Sequence, residues 1–240
     1  MNVLRFDSED AWTQAISSLW RDRLRMQPDL TMCLPSGTTP AAIYAEMSRS
    51  ARERVVSFSR ASVFVLDEFG GVGSDDPGRT AHTLRRQLID GIDLPPSAFH
   101  VLDPDSPDLL AHCREYDAAI GRRFDLVLLG IGPNGHIGMN EPGSPLDSPT
   151  RRVDLHDSTI QSAARYFLHQ NVPRWGVTVG LKRLLEAKEV WLLAKGPGKA
   201  SIVRDTLQGN MELSNPASLL RRHPNASLFL DRAAGALLDK

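Results

Sequence analysis

The sequence contains little cysteine and no large excess of positive or negative charge. The 240 residues include only Cys33 and Cys113, and without a C-x-x-C pair they support neither a disulfide scaffold nor a zinc ribbon. The 28 Lys and Arg residues are matched by 29 Asp and Glu, which leaves a formal charge of −1. Because a nucleic-acid backbone is bound mainly through an excess of basic side chains, we expect no nucleic-acid partner.

Long apolar runs are missing as well. Runs such as 126–129 and 190–194 are far shorter than the ~20 residues that a membrane-spanning helix needs. The N-terminus becomes acidic at Asp7 and lacks the apolar core of a signal peptide. We therefore expect a cytoplasmic protein without a membrane partner, long enough to bury a core unaided by disulfides or metals.

Apolar runs of strand length alternate with segments of helical period along most of the chain. We predict strands over 30–34, 62–66, 99–102, 125–129, 189–194 and 227–230. We predict helices over 9–25, 40–50, 79–89, 107–120, 176–187, 197–207 and 217–221. Nearly continuous apolar strands are typical of parallel sheets covered on both faces. The alternation predicts an α/β fold: one domain over 1–240, with an open, mostly parallel, doubly wound sheet and helices on both faces.

Residues 141–170 fit neither pattern. This segment is polar and contains Pro142, Pro145 and Pro149. Long irregular stretches inside compact domains usually carry function. We interpret the segment as a lid.

Ligands of open α/β sheets bind outside the carboxyl ends of the strands, and the first such end reads Leu-Pro-Ser-Gly-Thr-Thr-Pro at 34–40. A helix opens at Pro40, where the missing N–H is not needed. Free N–H groups at a helix N-terminus together with hydroxyl groups favour an anion site. A simple helix cap by Thr39 explains the same pattern.

The second strand end carries two carboxylates, Asp67 and Glu68. Successive strand residues point to opposite faces, so only one of them can face a given pocket. A partly desolvated carboxyl gains a higher pKa and can serve as a general base. The alternative is that either residue merely caps the turn at Gly70.

The third strand end contains a literal G-x-G-x-x-G that begins at Gly130. The dinucleotide-binding fingerprint requires a helix at its third glycine, and the glycines and prolines from Gly138 onward prevent one. What remains is a tight loop that displays Asn134, His136 and Glu141. A histidine near a carboxylate is the usual acid–base pair, although a lone histidine is more often structural.

The fourth strand end passes through Gly196 and Gly198 into a helix near Lys199. A lysine at this position could supply a point charge for a phosphate. A solvated helix lysine is the plainer interpretation.

Taken together, the chain resembles the glucosamine-6-phosphate deaminase (isomerase) family, whose relatives are the 6-phosphogluconolactonases. The matching segments are 34–40, 66–69, 130–143, 148–151, 164–167, 196–199 and 216–225. Lactonases normally carry Gly-His-Thr-Ala-Ser and Asp-Glu-Arg at the two key strand ends. Here the sequence reads Gly-His-Ile-Gly-Met-Asn-Glu-Pro at 135–142 and Asp-Glu-Phe at 67–69, which is the deaminase form.

The resemblance implies a reaction in which a phosphorylated amino sugar opens, isomerises and loses ammonia. Asp67 would move the proton between C2 and C1. His136 would open the ring, oriented by Glu141 and Asn134. The remaining implied residues would bind the substrate phosphate: Ser36, Gly37, Thr38, Thr39, Arg165 and Lys199. The family chemistry implies no cofactor and no metal.

Two departures from the family pattern bear on the substrate. Asn134 stands where many members have Asp, and Asn cannot ionise. The loop 70–78 also differs from the usual glucosamine-enzyme sequence. Galactosamine 6-phosphate, the C4 epimer, is therefore an alternative substrate, and association into a homo-oligomer stays open.

Three rival functions remain. A 6-phosphogluconolactonase would use the same fold and phosphate site to hydrolyse a lactone, but Phe69 and Glu141 argue against it. A non-catalytic sugar-phosphate sensor would need only the phosphate site, and an attached DNA-binding module would not fit within 240 residues. A dinucleotide-dependent oxidoreductase is the weakest alternative.

Overall fold

The computed structural model describes residues 1–167 and 172–238. Within these residues the strands are β1 (Asn2–Phe6), β2 (Thr31–Leu34), β3 (Ser62–Val65), β4 (Asp67–Phe69), β5 (Phe99–His100), β6 (Leu126–Gly130), β7 (Arg151–Asp154), β8 (Trp175–Thr178), β9 (Glu189–Ala194) and β10 (Ala226–Asp231). Seven of them form a wholly parallel sheet in the order β1-β10-β9-β6-β2-β3-β5. The predicted α/β class and parallel sheet are confirmed.

The α-helices are α1 (Glu9–Met26), α2 (Ala41–Arg52), α3 (Thr80–Gln87), α4 (Leu109–Ala119), α5 (Asp157–Ala163), α6 (Leu181–Leu185) and α7 (Ala200–Gln208). Short 3₁₀ turns occur at Ile89–Gly91, Pro96–Ala98, Ala164–Tyr166, Pro197–Lys199 and Pro216–Arg222. Residues 217–221, which we predicted to be α-helical, therefore adopt the tighter form. In the described ranges, none of the helices is long and apolar enough to cross a membrane.

Both faces of the main sheet are buried, because alternate residues of each central strand enter different cores. On β6, Leu126 and Leu128 belong to one core, whereas Val127 and Leu129 belong to the other. Helices α1 and α2 cover the first core, and α1 contributes the fully buried Trp20. Helices α4, α6 and α7 cover the second core. This arrangement is the doubly wound one predicted from the sequence.

A second sheet, which the sequence analysis missed, lies at the end of β3. It is antiparallel and has the order β4-β8-β7. The chain passes from one sheet to the other at Leu66. The N–H of Leu66 donates to the carbonyl of Leu34 at 3.0 Å, and its carbonyl accepts from the N–H of Val179 at 2.9 Å. Asp67 is thus the first residue beyond the main sheet.

The helix predicted over 176–187 is wrong in its first part. Residues Trp175–Thr178 form β8, because the β-branched Val177 and Thr178 pair with Glu68 and Asp67 of β4. Gly180 separates this strand from α6, and a Cβ there would lie 2.0 Å from the carbonyl oxygen of Ser148. The edge strand β1 was also missed, since four of its five residues are exposed and show no apolar alternation.

Residues 141–170 are more regular than we expected, because they contain β7 and α5. The first half of the segment is fixed to the body of the protein. Thr150 is buried and bonds to Asp117 through both its N–H and its hydroxyl. Arg151 donates to the side chains of Asn140 at 2.9 Å and Ser144 at 3.0 Å. Residues 168–170 lie outside the described residues, and the lid itself remains a prediction.

Candidate active site

The main sheet reverses its winding between β2 and β6, which are adjacent in space. The crevice at the carboxyl ends of such strands is the usual ligand site of open α/β sheets. A cavity of about 190 Å³ opens there. Seven of the residues predicted for the site line this cavity, namely Ser36, Gly37, Thr39, Asp67, His136, Arg165 and Lys199. Thr38 is exposed and does not line it, and Asn134 and Glu141 lie behind His136.

Asp67 faces the cavity from the point where the chain leaves the main sheet. The Thr80 hydroxyl at the start of α3 donates to its Oδ1 at 3.4 Å. Burial, with a contribution from the charge of Glu68, raises the pKa of Asp67 from 3.8 to about 7. A carboxyl group with a pKa near neutrality can both accept and return a proton. Asp67 therefore has the properties of a general base.

Glu68 points away from the cavity, as the alternation of a strand requires. It accepts hydrogen bonds from three backbone N–H groups, those of Phe69 and Thr80 at 2.8 Å each and that of Ala81 at 2.9 Å. Two of these groups belong to the first turn of α3. The two carboxylates therefore have different positions: Asp67 lines the cavity, whereas Glu68 joins α3 to β4.

The glycine-rich loop after β6 turns back on itself without opening a helix. The N–H of Gly132 donates to the carbonyl of His136 at 2.9 Å, and the N–H of Gly135 donates to the carbonyl of Gly132 at 3.1 Å. A Cβ at Gly132 would lie 2.2 Å from the imidazole ring of His136. The glycine thus lets the ring lie directly on the backbone at the cavity wall, and the loop does not have the geometry of a dinucleotide-binding turn.

Hydrogen bonds fix both the tautomer and the orientation of His136. The Nδ2 of Asn134 donates to Oε2 of Glu141 at 2.8 Å, so the Oδ1 of Asn134 faces Nδ1 of His136, also at 2.8 Å. An amide oxygen can only accept, so Nδ1 carries the proton. In the neutral ring, Nε2 keeps its lone pair, and it bonds to no other described residue. His136 can therefore take a proton from a ligand in the cavity.

Glu141 supports this histidine as a charged group. Burial favours its neutral form, but hydrogen bonds from His136, Thr159 and Asn134 outweigh it and lower the pKa of Glu141 to about 2. Its Oε2 lies 3.6 Å from Nδ1 of His136. A fixed negative charge at this distance stabilises the imidazolium that forms when His136 takes a proton.

Helix α5 and the residue before it contribute to the same network, which no local sequence pattern indicated. The hydroxyl of Thr159 lies 3.1 Å from Nδ1 of His136, and the Nδ2 of Asn134 donates to the hydroxyl of Ser158 at 3.3 Å. The N–H of His156 donates to Oε1 of Glu141 at 3.3 Å. The segment that we interpret as a lid therefore touches the acid–base residues directly.

The turn after β2 forms the opposite end of the cavity. The hydroxyls of Ser36 and Thr39 and the N–H of Thr38 bond to no other described residue, and α2 begins without a side-chain cap. The alternative in which Thr39 merely caps this helix is therefore wrong. Free donors at the start of a 12-residue helix attract an anion. Gly37 differs, because the side chain of Gln87 already occupies its N–H.

Two basic side chains approach this anion end. The ammonium of Lys199 donates to the carbonyl of Ile131 at 2.6 Å. Desolvation and the neighbouring charge of Arg165 lower the pKa of Lys199. Two neighbouring cations disfavour one another, and a bound anion would stabilise both. The hydroxyl of Tyr166, which the sequence analysis did not single out, accepts from Arg165 at 3.0 Å.

Comparison with known proteins agrees with this geometry. Residues 7–229 match the family model described as glucosamine-6-phosphate isomerases/6-phosphogluconolactonase. The chain belongs to this family. Within the family, it is 35% identical to the glucosamine-6-phosphate deaminase of Shouchella clausii strain KSM-K16, over 99% of this chain and 97% of that protein. It is 34% identical to glucosamine-6-phosphate deaminase 1 of Bacillus subtilis strain 168, over 99% of each.

Solved structures that resemble this chain differ in how similar they are in sequence and in fold. A monomeric glucosamine-6-phosphate deaminase superposes with a TM-score of 0.94 at 34% identity, covering 99% of this chain and all of that one. A 6-phosphogluconolactonase from Thermotoga maritima reaches a TM-score of 0.76 at 18% identity, covering 96% of this chain and all of that one. The likeness to the lactonase concerns the fold alone.

The first prediction concerns Asp67→Asn. Loss of a general base should lower turnover by about 10²–10⁴-fold. The variant should also be more stable than the parent at pH 8. The raised pKa of Asp67 means that the parent loses stability as the pH rises from 3.8 towards about 7, whereas Asn does not titrate. Steady-state kinetics and urea unfolding at pH 4 and pH 8 measure both effects, with the exposed Asp90→Asn as control. Parental turnover would exclude Asp67 as the base.

The second prediction concerns Glu141→Gln, which keeps the size of the side chain and removes its charge. Protonated His136 loses its counter-charge, so the acidic limb of the pH–rate profile should move to lower pH. The parent should be more stable than the variant above pH 4.5, and this difference should shrink as the pH falls towards 2, because the folded protein holds the pKa of Glu141 at about 2. Exposed Glu115→Gln serves as the matched control, and superimposable pH profiles would contradict the role.

Proposed function

We propose that this protein is an amino-sugar-6-phosphate deaminase and isomerase. It would convert glucosamine 6-phosphate into the ketose 6-phosphate and ammonia, with net uptake of one water. One observation carries the proposal: a carboxyl with a pKa of about 7 and a histidine face the same cavity, whose other end offers donors for an anion. Neither Nε2 of that histidine nor these donors bond to another residue in the described part of the chain. The names of the relatives at 34–35% identity support the same substrate class.

The reaction would begin with ring opening. Nε2 of His136 accepts the proton of the C1 hydroxyl as the bond between C1 and the ring oxygen breaks, and the imidazolium then returns a proton to that oxygen. The fixed charge of Glu141 stabilises the intermediate imidazolium, and Asn134 holds the required tautomer. Each step of ring opening is a proton transfer at His136, so this part of the proposed reaction does not call for a metal.

Isomerisation would follow at Asp67. Its carboxylate removes the proton from C2, the electron pair forms the C1–C2 double bond of an enolamine, and the aldehyde oxygen takes a proton from the ammonium group on C2. Asp67 then delivers its proton to C1, which leaves an iminium at C2. Water adds to C2 and the nitrogen leaves as ammonium, so the ketone forms without any change in the overall oxidation level. A carboxyl whose pKa is near 7 can perform both halves of this transfer at neutral pH.

We propose that the loop after β4, residues 70–78, selects between the two C4 epimers of the substrate. Arg79 is buried and donates to the carbonyls of Val72 and Gly73 while it pairs with Asp105. The loop is therefore held in one shape between β4 and α3. We propose glucosamine 6-phosphate as the first substrate and galactosamine 6-phosphate as the second. A cytoplasmic location remains a prediction from the sequence, and association into a homo-oligomer stays open.

The third prediction is the substrate test. Ammonia and ketose phosphate should form in equal amounts from glucosamine 6-phosphate, and 6-phosphogluconolactone should not be hydrolysed above the background rate. The galactosamine epimer is assayed in parallel, and Asp67→Asn is the inactive control. Lactone hydrolysis without ammonia release would replace the proposal with the lactonase alternative. Tight substrate binding without turnover would favour a sensor.

The fourth prediction concerns the lid. Helix α5 and the turn Ala164–Tyr166 should exchange amide hydrogen quickly in the free protein and slowly with the reduced, open-chain alcohol of glucosamine 6-phosphate, because Arg165 would close on the phosphate. Strand β7 should change little, since it is paired on one side with β8. Hydrogen exchange measured by mass spectrometry tests both statements. Slow, ligand-independent exchange in α5 would make the segment a fixed wall.

A further inference from the structure

The side chain of Gln87 makes two hydrogen bonds to the backbone of one residue of the anion-binding turn, Gly37. Its Oε1 accepts from the N–H of Gly37 at 3.3 Å, and its Nε2 donates to the carbonyl of Gly37 at 3.0 Å. A side-chain amide supplies a donor and an acceptor side by side, as a neighbouring β-strand would. Gln87 is half-buried and does not line the cavity.

Gly37 needs such support because of its backbone conformation. Its φ angle is +111°, a region that side chains rarely adopt and in which glycine is poorly restrained by its own sterics. The residues on either side of it, Ser36 and Thr38, present the free donors of the anion end. A rotation at Gly37 would turn those donors away from a bound anion.

Gln87 is also the last residue of α3, whose first turn belongs to the base end of the cavity. Thr80 bonds to Asp67, and Glu68 holds the N–H groups of Thr80 and Ala81. Seven steps along an α-helix span about 10 Å. One rigid element therefore contacts the general base at one end and the anion-binding turn at the other.

We propose that Gln87 is a positioning residue for phosphate binding: through its paired hydrogen bonds to Gly37, it holds the anion-binding turn at a fixed distance from Asp67. The inference rests on the proposed function for the identity of the substrate. It concerns the bound phosphate group and not the proton transfers.

The fifth prediction tests this role with Gln87→Ala and Gln87→Glu. The alanine variant should raise KM for glucosamine 6-phosphate about tenfold, the effect of one lost hydrogen-bonded restraint, with kcat within twofold of the parent. The glutamate variant should raise KM further, because its carboxylate cannot donate to the Gly37 carbonyl and adds negative charge beside the phosphate. His82→Ala, an exposed residue of the same helix, is the matched control.

Inorganic phosphate serves as a second probe that does not depend on turnover. Titration calorimetry should show its affinity falling in the same order, parent and His82→Ala first, then Gln87→Ala, then Gln87→Glu. Equal phosphate affinity in all four proteins, or lower thermal stability with unchanged KM, would overturn the inference and leave the proposed function standing. A parent that does not turn over the amino sugar would overturn the proposed function, while the phosphate series would still decide the role of Gln87.

Discussion

The site depends on the change of hydrogen-bond partner at Leu66. Its N–H completes the parallel sheet and its carbonyl begins the pairing with the antiparallel one, so the strand cannot continue in either sheet alone. The next side chain, Asp67, consequently lies between the two sheets and away from bulk water. The same junction gives β8 and β7 their place, and β7 leads into the helix α5 that touches His136. One backbone constraint therefore positions both Asp67, the proposed base, and the helix that supports His136.

Two carboxyl groups of this site have opposite protonation properties for a simple physical reason. Both are removed from water, which by itself raises a pKa. Among the described residues, Asp67 receives one long hydrogen bond, from Thr80, and the charge of Glu68 is nearby, so burial raises its pKa to about 7. Glu141 receives several donors, and its pKa falls to about 2. A carboxyl that can exchange protons in the cavity and one that stays charged behind His136 are thus parts of one site, which is the division of roles that acid–base catalysis uses.

At the anion-binding turn, too, the number of hydrogen bonds that each group receives decides its role. Its donors are left unpaired at the start of α2, and the chain around them is held by a residue that has no contact with the cavity, Gln87. Arg165 and Lys199 supply charge but belong to different segments, one of them in the region after α5. Binding of a phosphate would therefore join the body of the protein to the segment that covers the histidine.

The sequence by itself determined the features that depend on neighbouring residues, namely the parallel strands and the residues at their carboxyl ends. Continuous apolar runs predicted every described strand of the parallel sheet except β1, and the strand ends pointed to Ser36, Asp67 and His136 as candidate site residues, because ligands bind at the carboxyl ends of such strands. The antiparallel sheet, the strand at Trp175–Thr178 and the ordered structure within 141–170 came only from tertiary pairing, which overrode weak local preferences. Gln87 contacts Gly37 across 50 residues and Thr159 contacts His136 across 23. The protonation states of Asp67 and Glu141 are likewise set by groups brought together in space. No pattern within a few residues of the chain can encode such contacts, so only the folded structure decided them.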